Sequence, residues 1–583
     1  MVFSIIYFLL LSIFIKRGAA EFKQIDLIIH QSYLDPDCFG TSYSALLVNG
    51  QFPAPTIRVS KDDEVEIRVL NQADVPTSIH FHGIRQYGTV ESDGVPDVTQ
   101  NAINPGSTFT HRFQLKGQTG TFYYHAHVGV QDDTVQGAFI VENNNSPYTS
   151  KTYYDGPYGY DDEFILHLSE WWHQDFFKRE EYYLGPGYVH DPNADSVLFN
   201  GRTLYRGESS STQRGCEGHS IFDVLPNRTY RLRVIGGNTF RTYGLGIKDH
   251  NMTIIEVDGE LIHPYTTTHL EITPGQRFSV LIHTDDFYLR HYEENDGFSN
   301  SDNMYAIATS YRHRHRATGH TENGFGFLRY VDYSDNIKHK IIHKNFPEVP
   351  ENTPRDWIWP YLRPLEPPAP WLYQTPDRTL KIRTWTSVMQ DGSTRYAVNG
   401  KLSHKISHIY DSHTTKFEKN NNGILNYFTL LKMQSVTPER TFGAMDLDED
   451  GFEPTLGTYP IRLNETVDIV LQNVKSGMNC LLHPWHTHGH SHYVIASGDG
   501  EYVHERDHDK RNFPHPIYKD VTVVYETKVD PHTKGCGWTK IRLYADNPGV
   551  WAVHCHITAH MLQGKMFLLE EASDWIDTFR MYK

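Results

Sequence analysis

Four histidine pairs of the form H-x-H, His80/His82, His125/His127, His486/His488 and His554/His556, stand out among the 35 histidines of this 583-residue chain. In an extended strand, residues i and i+2 point to one face, so each pair presents two imidazoles side by side. A single pair reads equally well as a polar patch or as two hydrogen-bonded core histidines. Four pairs, set twice in the same order along the chain, do not. Imidazole suits copper, zinc and iron, so the remaining donors must choose among them. Cys555 lies between His554 and His556 and must therefore face the opposite side of their strand. One strand then serves two metal sites on its two faces, with its backbone as a short covalent path between them. His560 follows five residues after the cysteine, and His483 lies three before His486. A thiolate with two imidazoles is the trigonal set of a blue-copper electron-transfer centre. A zinc site of Cys, two His and water would leave the eight paired imidazoles unexplained.

The elements that must carry these donors are strands. Short runs rich in Val, Ile, Thr, Tyr and Phe recur between Gly, Pro, Asn and Asp, as in PTIRVSKDDEVEIRVLN, TYRLRVIG, RFSVLIHTDD and ETVDIVLQN. Alternation in EVEIRV and TYRLRV is the period of a half-buried strand, and no long stretch holds a helical period. An all-β protein of sandwich or barrel domains is expected. At roughly 100–200 residues per domain, the length predicts three or four of them. An Asn/Tyr/Gly-rich stretch over 143–162 and a proline cluster over 347–376 divide the chain into domains at 21–150, 151–346 and 377–583, with 347–376 as a linker. The two outer blocks each carry H-x-H-G followed by H-x-H, which the middle block lacks.

The formal net charge of −17 argues against nucleic acid as a partner. Residues 1–20 read as a signal peptide cleaved near Ala20, with a retained signal anchor as the other reading; the apolar run is short for a bilayer span. No further apolar run or lipid-anchor tail follows, so no stable membrane anchor is expected. Sequons at Asn144, Asn227, Asn251 and Asn464 fit a secreted, glycosylated protein. With Cys555 assigned to a metal, Cys38, Cys216, Cys480 and Cys536 form an even set suited to an oxidising compartment, with three pairings open. Two further patterns are weaker. Asp446, Asp448, Asp450 and Gly451 imitate the start of a calcium loop, but Gly457 stands where its last acidic ligand belongs, which favours a solvated loop. His313 and His315 are interleaved with arginines and read as surface loop.

The segments HFHG, YYHAHVG, HPWHTHGH and HCHITAHMLQGKM resemble the four copper signatures of the multicopper oxidases. VNGQFPAPTIRV, NAINPGSTF and LSEWWHQ are most similar to ascorbate oxidases and their fungal relatives, and the likeness spans nearly the whole chain beyond the signal peptide. The resemblance implies three cupredoxin-like β-sandwich domains and four copper ions. Type 1 copper would take His483, Cys555 and His560; type 2 would take His80 and His486; the type 3 pair would take His82, His125, His127, His488, His554 and His556. The trinuclear cluster would lie between the first and third domains. The implied activity couples four one-electron oxidations of an ascorbate-like or phenolic reductant to reduction of O2 to two waters. Electrons would pass through Cys555 to His554 and His556. Oxidation of Fe(II) is the alternative substrate reading, with Asp191 and Asp195 beyond the WWH segment. A non-catalytic copper-binding extracellular protein is the alternative class, against which the complete ligand set speaks.

Two departures from the family pattern stand out. Lys565 occupies the axial position of type 1 copper, and Met566 follows it, so either Met566 is a weak axial ligand or the site is three-coordinate with Lys565 turned away. Thr558 stands where relatives carry an acid, which leaves Asp93 as the candidate acid near the cluster, or as a plain turn residue before Gly94. Trp171, Trp172 and Tyr396 match positions of a substrate-binding face, or are core aromatics. The resemblance also implies a Cys38–Cys216 disulfide between the first two domains. Asn101 replaces a cysteine of a second family disulfide, leaving Cys480 with Cys536.

Overall fold

The structure, a computed structural model, describes residues 21–143, 152–205, 216–285, 304–312, 324–331, 357–402, 443, 445–475, 479–527 and 532–582. The signal-peptide reading of 1–20, Asn144, His313 and His315 fall outside these residues.

Among the described residues, six large sheets pair into three sandwiches, as expected of an all-β chain. Each sandwich is founded on one motif. A first strand lies parallel to one neighbour and antiparallel to another: Phe22–Leu34 with Glu64–Asn71 and Tyr43–Val48, Asp162–Trp171 with Arg228–Gly236 and Ser196–Phe199, Arg378–Val388 with Thr466–Val474 and Thr394–Val398. The middle unit thus repeats the framework of the outer two without their histidines.

Alternation places the cores. In Glu64–Asn71, Val65, Ile67 and Val69 are fully buried against Phe81, Phe122 and Phe139 of the facing sheet. Burying each such side chain contributes roughly 1.5–3 kcal/mol. The strands nearest the histidines depart from this pattern. All seven residues of Gly120–Ala126 and of Gly549–Cys555 are buried, because both faces are covered. One face meets its own sandwich and the other a neighbouring unit: Thr121 bonds Ser279 across the seam between the first and second sandwiches, Oγ to Oγ 3.1 Å.

Two features correct the expectations. The proline-rich stretch is more than a linker: Ile358, Trp359 and Leu362 are buried in the middle core beside Leu482, Phe513 and Val523 of the third unit. Trp359 Nε1 donates to Tyr525 Oη at 3.0 Å. A helix unforeseen from periodicity, Phe176–Leu184, packs through Tyr183 on Val130 and on Ala559 of the short helix Thr558–Leu562. It draws all three units together beside Cys555.

Candidate metal centres

The histidine pairs are placed by register. His80 lies opposite His125 in the first unit, and His486 opposite His554 in the third, so the same two-strand arrangement occurs twice. The two sets face each other across the seam. Nε2 atoms of His80 and His486 are 3.3 Å apart, those of His488 and His554 3.0 Å, and those of His127 and His554 3.4 Å; His556 Nε2 is 3.2 Å from His82 Nδ1. Two nitrogens bound to one ion at roughly 2.0–2.1 Å with a near-tetrahedral angle would sit about 3.3 Å apart. All eight rings are at most 5% exposed. Burial, helped by neighbouring rings, holds His82, His125, His488 and His556 well below the usual histidine range, and lowers His486 as well. Neutral imidazoles are what a metal requires.

The outer ring nitrogens fix the tautomers. Nδ1–H of His80 donates to the Asp93 carbonyl (2.7 Å), His486 to the Asp520 carbonyl (3.1 Å), His125 to Ala126 (2.8 Å) and His554 to Cys555 (3.0 Å); His488 donates to Asp93 Oδ2 (3.0 Å). Each Nε2 lone pair is thereby turned inward, the usual device for orienting ligating imidazoles. His125 Nε2 is buried without a hydrogen-bond partner among the described residues. The donor set fits a cluster of imidazole-loving ions.

Cys555 faces the other way. It lies opposite Trp485, one step out of phase with the His486–His554 pair. Its buried Sγ is 3.7 Å from His483 Nδ1 and 3.6 Å from His560 Nδ1. A trigonal site with metal–sulfur and metal–nitrogen bonds of roughly 2.3 and 2.0–2.1 Å would give about 3.8 Å. Trp172, Ala194, Phe240 and Ile557 form a dry wall around the sulfur. His560 Nε2–H donates to Asp191 Oδ2 at 3.0 Å, and Tyr188 Oη donates to the other oxygen of Asp191 at 2.9 Å.

Of the proposed aromatic face, Trp172 belongs to that wall and the Tyr396 ring lies 5.1 Å from the His560 ring. Trp171 does not join them: one residue earlier in the chain, it points to the opposite side and packs on Ala45 and Leu198. Asp195 also lies elsewhere, accepting the His173 backbone N–H. Lys565 turns its ammonium over the rings of Tyr396 (4.8 Å) and Trp485 (5.9 Å), while its carbonyl accepts the Cys555 N–H. Met566 stands opposite His554 in the ladder, on the imidazole face and not the sulfur face, and is buried in the third core. That register speaks against an axial Met566.

Asp93 is fully buried, with Oδ1 3.3 Å from His80 Nδ1 in addition to its bond to His488. It is a turn residue as well: Gly94 has φ +85°, and a Cβ there would strike the Ile79 carbonyl. A second acid was missed from sequence. Asp520 Oδ1 is 3.1 Å from His82 Nε2, and both its oxygens accept from Arg277 of the middle unit at 2.6 Å. Burial alone would raise Asp520, but the Arg277 guanidinium outweighs it and holds the carboxyl below the usual range. No local spacing marks this pair, whose members are 243 residues apart. Thr558 donates to Asp132 Oδ2 at 2.5 Å, so an acid from the first unit reaches it.

Cys38–Cys216 and Cys480–Cys536 are disulfide-bonded, with Cα separations of 5.5 and 5.9 Å. The calcium-like loop is closed by Lys401, whose Nζ is 2.7 Å from Asp448, and by backbone N–H groups donating to the same carboxylate.

Sequence models described as "Multicopper oxidase" match residues 30–146, 162–332 and 426–574. L-ascorbate oxidase of Cucurbita maxima is 29% identical, over 96% of this chain and 92% of its own length. The iron transport multicopper oxidase of Saccharomyces cerevisiae is also 29% identical, over 91% of this chain and 72% of its own. Among solved structures, a laccase from Botrytis aclada superposes with a TM-score of 0.69 at 24% identity, covering 97% of this chain and 89% of that one. Three matched segments spanning most of the sequence, on three cupredoxin-like sandwiches, establish that the chain belongs to the multicopper oxidase family, whose members are copper-dependent oxidoreductases.

Proposed function

We propose that the protein is a secreted four-copper oxidase that takes single electrons from a small reductant beside His560 and uses four of them to reduce O2 to two waters in the histidine cage. The observation that carries this reading is the two-faced segment His554–Cys555–His556, whose sulfur belongs to one donor set while its imidazoles belong to the other. In this assignment His483, Cys555 and His560 would hold type 1 copper. His80 and His486 hold type 2, and the type 3 pair is held by His82, His125 and His556 with His127, His488 and His554. Copper bound at these positions supplies the one-electron redox chemistry and the reduction of O2.

The chain's own residues do the rest. The peptide bonds flanking Cys555 are a short covalent bridge between the two donor sets. Trp172, Phe240 and Ile557 exclude water from the sulfur. Asp93 orients His488 and His80, and Asp520 does the same for His82 and His486. Tyr188 and Tyr396 flank His560 and suit a flat enediol or phenol. Fe(II) is the second reading, favoured by the Asp191 carboxylate on His560, an oxygen donor of the kind a hard cation selects. Secretion is supported by exposed loop positions for Asn227, Asn251 and Asn464 and by the two disulfides. Among the described residues no helix is long and apolar enough to cross a membrane.

The test is copper content together with O2 uptake on ascorbate, a diphenol and Fe(II). Four coppers per chain and turnover with at least one reductant are expected. Bound copper with no O2 uptake on any of the three would sink the oxidase reading in favour of a copper-binding protein.

A further inference from the structure

Asp132 lies in the short turn Gln131–Asp133, five residues after His127, and is 6% exposed. Its Oδ2 accepts the Thr558 hydroxyl, and Thr558 begins its helix two residues after His556. One hydrogen bond therefore joins two chain segments that each supply an imidazole to the cage, from the first and third units. The other oxygen, Oδ1, is buried and has no hydrogen-bond partner among the described residues.

The surrounding charges leave Asp132 without a cation of its own. Arg179 of the helix Phe176–Leu184 is engaged by the neighbouring Asp133 and lies over the Trp172 ring at 3.5 Å. Asp133 also accepts from Thr239 Oγ1 at 2.8 Å. Glu170, in the strand Asp162–Trp171, adds negative charge and is itself held by the N–H groups of Thr239, Phe240 and Arg241 and by Tyr243 Oη. Tyr123, in Gly120–Ala126, places its hydroxyl 3.1 Å from His556 Nε2. Burial pushes the Asp132 carboxyl well above the usual range; the Thr558 bond and Arg179 oppose this, and Glu170 reinforces it. An ionised carboxylate with one unpaired buried oxygen is costly, and a proton on Oδ1 removes that cost. Asp93 differs in position: its Oδ2 accepts directly from the ring of His488 and its Oδ1 lies 3.3 Å from that of His80, so it touches the cage rings themselves.

Resting on the oxygen-reducing reading above, we infer that Asp132 is a proton-holding acid of that centre, contributed by the first unit and linked to the His556 segment through Thr558. Reducing one O2 to two waters consumes four electrons from the reductant and four protons from solvent. Asp132 releases the proton on Oδ1 to the oxygen-reducing centre, is left as a carboxylate held by the Thr558 hydroxyl on Oδ2, and is reprotonated from solvent. No other bond changes.

The test uses the full chain, metal-free and copper-loaded. In the metal-free protein at about pH 6, roughly two units above the ordinary aspartate value, infrared difference spectra of wild type against Asp132→Asn show a protonated carboxyl C=O band that the variant lacks. In the loaded protein, Asp132→Asn slows O2 turnover roughly 10²-fold and flattens the alkaline limb of its pH profile. The reductant KM and the thiolate absorption stay unchanged. The double variant Asp132→Asn/Thr558→Asp carries the carboxyl on the other side of the same contact and recovers much of the rate and the pH dependence, which a merely structural role would not. Absence of the band, or a wild-type rate and pH profile in Asp132→Asn, overturns the inference. A band present in a wild-type protein that takes up no O2 sinks the oxidase reading instead.

Discussion

Replacing Arg277 by methionine removes the cation that the middle unit inserts beneath the cage. Both guanidinium Nη atoms sit 2.6 Å from Asp520 oxygens, Asp258 lies 3.4 Å away, and all three side chains are 0–1% exposed. Breaking a buried pair by deleting one partner costs about 3–5 kcal/mol, because the remaining charge has nothing to compensate it. The pH dependence carries a definite sign. In the wild type Asp520 is held below its ordinary value, so its contribution to stability is present above the unfolded aspartate value near roughly 3.9 and is lost as pH falls through the folded value. In Arg277→Met, burial without the cation raises Asp520 instead, and its contribution reverses: it destabilises at neutral pH and is relieved by acid. The stability gap is therefore widest at about pH 7 and narrows towards about pH 4. Urea unfolding of the metal-free proteins at several pH values measures that gap. Copper affinity measures the second consequence: losing the support of His82 and His486 is expected to weaken it about 10–100-fold. A gap below about 1 kcal/mol at neutral pH, or one that widens on acidification, would refute the reasoning.

Three other substitutions probe separate parts of the site. Gly275 has φ +84°, and a Cβ there would lie 2.9 Å from both His556 Cδ2 and His82 Cε1, so Gly275→Ala should empty the cage of copper while the Cys555 absorption survives; full copper content would show that the rings can yield. Asp191→Asn removes the charge-assisted acceptor of His560 and should lower kcat/KM for the reductant roughly 10- to 100-fold in stopped-flow reduction, with KM for O2 unchanged. Lys565→Met removes a buried positive charge near Cys555 and should lower the reduction potential found by redox titration while the thiolate absorption persists; loss of that absorption would instead make Lys565 a ligand.

Local periodicity carried most of what could be read in advance. A period of two decides which side a strand residue faces, so Val65, Ile67 and Val69 were legible as core, and Cys555 as opposed to His554 and His556. The same rule separates Trp171 from Trp172, a distinction that likeness to relatives blurred. Contacts between distant segments leave no such trace. Arg277 with Asp520, and Asp132 with Thr558, meet only because three sandwiches close on one another, and neither pair has a spacing to detect. The helix Phe176–Leu184 was hidden for another reason: its nine residues, FFKREEYYL, make only about two and a half turns, too few for a period to stand out, and they bury Arg179, Tyr183 and Leu184 against other units. Proline content marks 347–376 as a linker, but it could not reveal that Ile358, Trp359 and Leu362 are core residues.

The account stands on a single segment giving its sulfur to one metal and its neighbouring rings to others behind it. Cys555→Ser keeps the size of the side chain and removes only the thiolate, so electron paramagnetic resonance and copper counting on that variant address the claim directly. The expected protein has lost the intense visible absorption and all steady-state oxidase activity, yet retains the copper signals of the histidine cage. A Cys555→Ser protein that still absorbs strongly, or still turns over, would contradict it.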